Sequence, residues 1–553
     1  MKKHIFFFIL FITQFSIAQR FTLKIEGNSV LESKAIDSIG YQEKHETVNS
    51  LLETKKLFEK KIINNGFFEN QLLSEKKIND SLFVLKYQLG NRTKDIHIYI
   101  GSISAEKKQL LALENDTLKF PIGEIENWML QKTQLLEANG YALAKLKLTE
   151  QNTRKNILYS TLTIHLNTIR TINNIVILGY DKFPKNIKHN WKRKLKNRTF
   201  NQKLVDEIYA DFNQFPFVTQ TKYPEILFTE EATKVYTYVE KARPNKFDGF
   251  IGFANDENNK LVFNGYLDLN LQNILNGGEK FNLFWKNDGK QQTSFNLGAE
   301  IPYIFKSPLG IKANLNIFKQ DSTFQNTKSE FNLGYYLTYN QKIYLGIQST
   351  TSIDIQNANS ISLNNYKNRF YNISYEYSKR NNSNYLFPEK TNFSLKFGLG
   401  NRTITGVKTN QFYNLLNLNH NFYLNPKNTI SLQNQTFYLD SQNYIINELH
   451  RFGGTNSIRG FRENSLQANF FTGIFLEYKY QLASNLYIHS ISDFGYFQDK
   501  TNNLQDKLLG LGFGFGLLTK NGLFNLAYAN GSTEKQPARL SNSIVHISFK
   551  TFF

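Results

Sequence analysis

The side chains best placed to do chemistry lie in one short run, Arg451-Phe452-Gly453-Gly454-Thr455-Asn456-Ser457-Ile458-Arg459-Gly460-Phe461. The chemistry on offer is ion pairing. A guanidinium is planar, permanently charged and suited to bidentate pairing with a carboxylate. Gly453, Gly454 and Gly460 let such a loop turn sharply and lie flat against a wall. Bond-making chemistries lack their residues. There is no G-x-S-x-G elbow, no H-E-x-x-H, and the 9 histidines are scattered with no metal-ligand spacing. Cysteine is absent, which removes thiolate nucleophiles, thiolate metal sites and disulfides together. Asp256-Glu257 reads as a solvated turn, since no loop of alternating carboxylates surrounds it. We therefore expect no enzyme, no cofactor and no metal.

The elements that position this run follow from the rest of the chain. Lys2 and Lys3 precede an apolar stretch, Ile5 to Ile12, and Ser16-Ile17-Ala18 supplies small residues for a peptidase. Residues 1–18 thus read as a secretory signal cleaved after Ala18. The missing cysteine argues against a lipid anchor. Mean hydropathy is −0.44, and after the signal no apolar run approaches the ~18 residues of a membrane helix. Yet the chain holds 48 Phe and 30 Tyr, with aromatics at 15%. A transmembrane β-barrel reconciles the two: its strands alternate apolar-out and polar-in, and aromatic girdles mark the interfaces. The net charge of +20 would suggest nucleic acid, but secretion makes outer-membrane lipid the better partner.

The pattern changes near residue 245. Before it, strands alternate with helices in a unit recurring at about 75 residues. Phe21–Gly27, Lys94–Gly101 and Thr171–Gly179 open the three units. Helices are expected over Val48–Asn64, Gly123–Ala138, Lys185–Leu195 and Asn201–Asn213. The first two units break at Asn65-Gly66 and Asn139-Gly140, where glycine suits a helix C′ position. Closing strands are expected at Ser81–Leu89, Ile157–Leu166 and Val235–Glu240. The boundaries are 20–92, 93–168 and 169–244, with 245–553 the barrel. In that last part alternation is clear, for example in Leu261–Leu271 and Leu486–Tyr496, with turns such as Lys520-Asn521-Gly522. It accommodates about 16 strands, an even number as bacterial barrels have. Gly510–Gly516 (GLGFGFG) is strict alternation and not a phosphate loop. It reads as a strand with Leu511, Phe513 and Phe515 outward and glycines leaving room inside for another segment.

These features carry a resemblance. The β-α-α-β-β units resemble POTRA domains, and Arg451–Phe461 resembles the loop-six signature R-F-x-G-G-x-x-S-[VI]-R-G-[FY] of the BamA/TamA superfamily, with three domains resembling the TamA branch more than the five-domain BamA branch. The resemblance implies an α+β periplasmic array followed by an all-β 16-stranded antiparallel barrel. It implies that the loop folds into the lumen, with Arg459, Gly460 and Phe461 against the inner wall. The wall partner it implies is Asp493-Phe494-Gly495, through Asp493 and Gly495. It also implies a C-terminal strand signal in Val545, Ile547, Phe549 and Phe553. Where family members often carry S-P-x-G near the end, this chain has Thr519-Lys520-Asn521-Gly522.

One basic cluster, Lys188, Lys192, Arg193, Lys194 and Lys196 beside Trp191, has two readings: a solvated helix face, or contact with lipid head groups. The expected location is the outer membrane, with the N-terminal domains in the periplasm. The expected function is assembly, insertion or translocation of unfolded outer-membrane or secreted clients. These would bind the POTRA-like domains and pass to a laterally gated barrel, with periplasmic or inner-membrane accessory proteins as further partners. Two alternatives stand beside it: a two-partner secretion transporter for a dedicated client, and a passive porin or adhesin barrel.

Overall fold

A computed structural model describes residues 21–255, 261–287, 292–356, 363–539, 541 and 543–553. The expected signal peptide and the Asp256-Glu257 turn lie outside them. The chain divides into two compact units, 1–171 with 199–203, and 172–198 with 204–553.

The first unit holds two small sheets. Strands β1 (Phe21–Gly27), β2 (Lys44–His45), β3 (Gln71–Lys77) and β4 (Leu82–Gln88) order as β2-β1-β4-β3, alongside helices α1 (Val30–Ile39) and α2 (Val48–Asn64). In α2, Leu51, Phe58 and Ile62 share one helical face and are buried against Leu23, Ile25, Leu85 and Tyr87. Thr47 caps α2 by accepting from Ser50 N–H at 3.2 Å. Its end is set by Gly66, whose φ of +89° admits few other residues.

The second sheet joins β5 (Asp95–Tyr99), β6 (Thr117–Pro121), β7 (Lys145–Arg154) and β8 (Ile157–His165) in the order β6-β5-β8-β7, with helices α3 (Ala105–Leu110) and α4 (Ile125–Ala138). Gly140 ends α4 at φ +92°. Sequence periodicity missed the short helices α1 and α3 and the outer strands β3 and β7. Each is too short or too polar to show a period. β3 is exposed along almost its whole length, so it has no buried face to leave a hydrophobic pattern.

The second unit begins with β9 (Ile172–Leu178), α5 (Lys185–Leu195), α6 (Gln202–Phe212), β10 (Val218–Phe228) and β11 (Thr233–Lys241), whose sheet orders β10-β11-β9. The barrel follows. Its first strands are β12 (Lys246–Asn255), β13 (Leu261–Gln272), β14 (Lys280–Asn287), β15 (Gln292–Ile301) and β16 (Leu309–Gln320). The long middle strands are β17 (Phe324–Thr338), β18 (Gln341–Asp354), β19 (Tyr366–Arg380), β20 (Glu389–Ile404), β21 (Val407–Tyr423) and β22 (Asn428–Ser441). A hairpin of β23 (His450–Phe452) and β24 (Leu466–Ala468) stands apart from the wall. The wall resumes with β25 (Phe470–Ala483), β26 (Leu486–Asp499), β27 (Leu504–Leu518), β28 (Gly522–Thr533) and β29 (Ile544–Phe552), and closes β29 onto β12. The expected closed antiparallel barrel of 16 strands is what the chain forms.

Alternation decides which face meets lipid. Along β17, Phe331, Leu333, Tyr335 and Leu337 are exposed, while Asn332 and Tyr336 between them are buried. Leu511 and Phe513 on β27 and Ile343, Leu345 and Ile347 on β18 repeat the pattern. Exposed apolar side chains in such a band are stable only against hydrocarbon, and a closed wall leaves few backbone groups for lipid to strand. The barrel is thus an outer-membrane barrel, and the N-terminal domains belong to the periplasm. Among the described residues no helix is long and apolar enough to cross a membrane, which says nothing of strands.

Candidate functional site

The Arg451–Phe461 run lies between the eleventh and twelfth wall strands, β22 and β25, and folds inward. Its base is the β23–β24 hairpin, pairing His450 with Ala468 and Phe452 with Leu466. Gly453 and Gly454 then reverse the chain at φ +104° and +97°, a conformation that side chains resist. Gly454 N–H donates to Ile458 O at 3.1 Å, closing the tip. Apolar residues seat it: Phe452 and Ile458 are buried with Phe471, Phe475, Phe497 and Leu508 of the wall, and Phe461 packs at the edge. Phe452 stacks on Phe471 with ring centroids 4.0 Å apart.

Arg459 reaches the wall. Its Nε donates to Asp493 Oδ2 at 2.8 Å and its Nη2 to Asp493 Oδ1 at 2.6 Å, and its backbone N–H donates to Oδ2 at 2.9 Å. Nη1 donates to Glu477 of β25, and Lys479 lies 3.1 Å from the other Glu477 oxygen. Asp493 is wholly buried. Two carboxylates are thus balanced by two cations, as a buried charge cluster requires.

Glycines make the close approach possible. A Cβ on Gly510 would stand 2.4 Å from Arg459 O, and one on Gly531 would stand 2.5 Å from Gly460 O. The loop backbone therefore rests directly on the backbone of β27 and β28. Gly495 is in contact too: a Cβ there would meet Ile458 Cδ1 at 3.2 Å.

A second anchor was not legible in the sequence. Glu448, before the hairpin, accepts from Arg402 Nη1 at 2.5 Å and from Gln411 Nε2 at 2.8 Å. Arg402 on β20 is 1% exposed. Glu477 was likewise missed. The available signal was charge at lumen parity: Glu477 and Lys479 flank the exposed Tyr478, and Arg402 lies on the face opposite Leu399. Parity marks the face but not the partner across the lumen.

The other predicted residues fall as follows. Arg451 stays clear of Asp493 and lies over the Phe324 ring at 5.6 Å. Thr455 Oγ1 is 2.8 Å from His546 Nδ1, so the tip reaches the last strand. Val545, Ile547, Phe549 and Phe553 are 55%, 62%, 40% and 49% exposed, on the lipid side. In the basic cluster, Lys192 donates to Asn174 Oδ1 at 2.8 Å, and burial, with Lys188 nearby, pushes its ammonium pKa down. Arg193 donates to Asn190 Oδ1 at 2.9 Å. Lys188, Lys194 and Lys196 are half-buried to exposed on the same helix and its end. Beneath the loop a lumen cavity of about 700 Å³ is lined by amides such as Asn282, Asn296 and Asn316. Among the described residues no three His, Cys, Asp or Glu side chains gather to hold a metal.

No family model matches the chain, and no curated protein does. Solved structures do. CdiB from Escherichia coli superposes with a TM-score of 0.51 at 12% identity, covering 90% of this chain and 97% of its own. CdiB from Acinetobacter baumannii gives 0.51 at 12%, covering 83% and 90%. BamA from Haemophilus ducreyi lacking POTRA domains 1–3 gives 0.46 at 14%, covering 82% and 98%. At such identities the likeness is one of fold. The chain is an outer-membrane β-barrel protein with N-terminal POTRA-like domains, and it shares the fold of CdiB.

Proposed function

We propose that this protein moves polypeptide into or across the outer membrane and is not an enzyme. The observation that carries this reading is the seam. Among the described residues β12 and β29 are paired only at Lys246–Phe552 and Phe247–Thr551, whereas β12 pairs with β13 from Lys246–Asn270 to Asn255–Leu261. In lipid, an unpaired strand edge costs several kcal/mol per stranded group, so the free edge of β12 is a template for an incoming strand. The wall is also short here: β29 has 9 residues, against 17 in β21. A thin wall thins the adjacent bilayer and eases passage. The open edges of β3 and β7 offer the same backbone pairing to a client in the periplasm. Domain limits at 92, 168 and 244, and the Arg459 loop as a lock on the closed state, complete this reading.

A second reading, a two-partner secretion transporter for one dedicated client, is favoured by the superposition on CdiB over nine-tenths of the chain. On present comparisons it has the better support of the two, while the seam supports insertion. Depletion with quantitative proteomics of the outer-membrane and secreted fractions separates them. Loss of many unrelated barrels is the outcome for an insertase. Loss of one or a few secreted proteins is the outcome for a dedicated transporter. No change would overturn both in favour of a porin or adhesin.

A further inference from the structure

The third small domain is seated on the periplasmic rim of the barrel. Arg380 N–H donates to Gln214 Oε1 at 3.0 Å, and Phe215 meets Tyr339 edge-on at 4.8 Å. Between α5 and this rim lies a cavity of about 210 Å³. Trp191, Arg193 and Lys194 line one side, and Tyr303 and the stretch 335–340 line the other.

Three observations bear on what it holds. The first is charge. Arg193 and Lys194 are exposed and face one carboxylate, Asp211, which already accepts from Trp191 Nε1 at 3.1 Å and lies 4.0 Å from Lys194. The cavity therefore keeps a positive excess. The second is Tyr339, one of the residues lining the cavity: it is only 9% exposed, and its hydroxyl has no hydrogen-bond partner among the described residues. A buried hydroxyl without a partner is costly, so it stands ready for an acceptor. The third is position. Tyr335 and Leu337, on the same wall, belong to the lipid-facing band. Phe305, in the adjoining turn, is 93% exposed and held at φ +54° between Tyr303 and Lys306, both also left-handed. Strain of this kind persists where the surroundings impose it, and an aromatic presented at the rim marks the membrane interface.

We propose that this cavity binds an anionic phospholipid of the periplasmic leaflet. The phosphodiester lies between Arg193, Lys194 and the Tyr339 hydroxyl, and the acyl chains run along Leu337 and Tyr335. The cavity of about 210 Å³ has room for a phosphate and glycerol. The bound lipid joins the third domain to the barrel. The site is independent of which client-handling reading holds.

The test uses the full-length protein in neutral detergent, titrated with phosphatidylglycerol or phosphatidylcholine and read by native mass spectrometry and thermal unfolding. The expected result is a retained phosphatidylglycerol adduct with a raised unfolding temperature, at least tenfold preferred over phosphatidylcholine. R193E/K194E should lose that preference, and the milder Y339F should weaken it severalfold. K182E/K185E, on the same domain outside the cavity lining, should not. Equal binding of both lipids, or equal loss in K182E/K185E, would overturn the site. So would a full stabilising effect from inorganic phosphate alone, or displacement of the adduct by an acidic peptide.

Discussion

Arg459 and Asp493, 34 residues apart, share three hydrogen bonds, two from the guanidinium and one from the Arg459 backbone N–H. The backbone bond means that truncating the arginine does not free Asp493 of the loop altogether, whereas truncating the aspartate removes all three contacts at once. D493A should therefore be the more disruptive change. Removing one partner of a buried pair costs about 3–5 kcal/mol, and D493A should reach that range, read as the midpoint of heat- or urea-induced loss of the compact barrel band. R459K should not restore the wild-type value, because an ammonium cannot make the paired contact. If R459A/D493A lost as much as the two singles added together, the pair would not be coupled.

G510A should lift the loop off β27, because its Cβ would stand 2.4 Å from Arg459 O, a backbone atom with nowhere to go. Overpacking of this kind costs about 1–3 kcal/mol. Protease sensitivity within 453–461 should rise severalfold while strand content is unchanged. An unaltered digestion pattern would mean that the loop does not rest there.

The seam can be locked. The chain has no cysteine, so F247C/T551C introduces the only pair, at one of the two places where β12 and β29 are in register. Oxidation should abolish client handling, and reductant should restore it. The L283C/L297C pair, across β14 and β15, should leave function intact under the same oxidation. Activity in the oxidised F247C/T551C protein would remove lateral opening from the mechanism.

E448A should loosen the other end of the loop. It leaves Arg402, 1% exposed, without its carboxylate, so destabilisation of about 3 kcal/mol is expected. R402M, similar in bulk and uncharged, should be less harmful when combined with E448Q than alone. The thermal midpoints of the four proteins decide it.

Client capture at the periplasmic edges predicts that charge on β3 weakens it. L73K places a lysine on an exposed edge, the device by which natural edges avoid pairing. Site-specific crosslinking of nascent clients to β3 should fall severalfold, and barrel folding should not change.

The parts of this molecule that were legible in the sequence are those whose signal is local. Helix α2 shows itself through Leu51, Phe58 and Ile62 and stops where Gly66 must take a positive φ. The lipid face of β27 shows itself through Leu511 and Phe513. The Arg459 loop is read from its resemblance to a family signature, with glycines clustered within a few residues of the charge as local support. What the sequence hid is relational. Glu448 and Arg402 are 46 residues apart, and nothing near either residue names the other; only closure of the wall brings them together. The short register between β12 and β29 is hidden for the same reason, since neither Phe247 nor Thr551 differs from its neighbours in type.

The two anchors of the loop have opposite polarity. At one the loop contributes the cation and the wall the anions; at the other the wall contributes the cation and the loop the anion. Asp493 is 0% and Arg402 1% exposed, so added salt screens either anchor only weakly. A single neutralising change loosens one end only: removing Arg459 leaves the Arg402–Glu448 pair intact, and removing Glu448 leaves Arg459 on Asp493 and Glu477. Lifting the whole loop strands buried charge of both signs on the loop and on the wall together, the costliest way to part them.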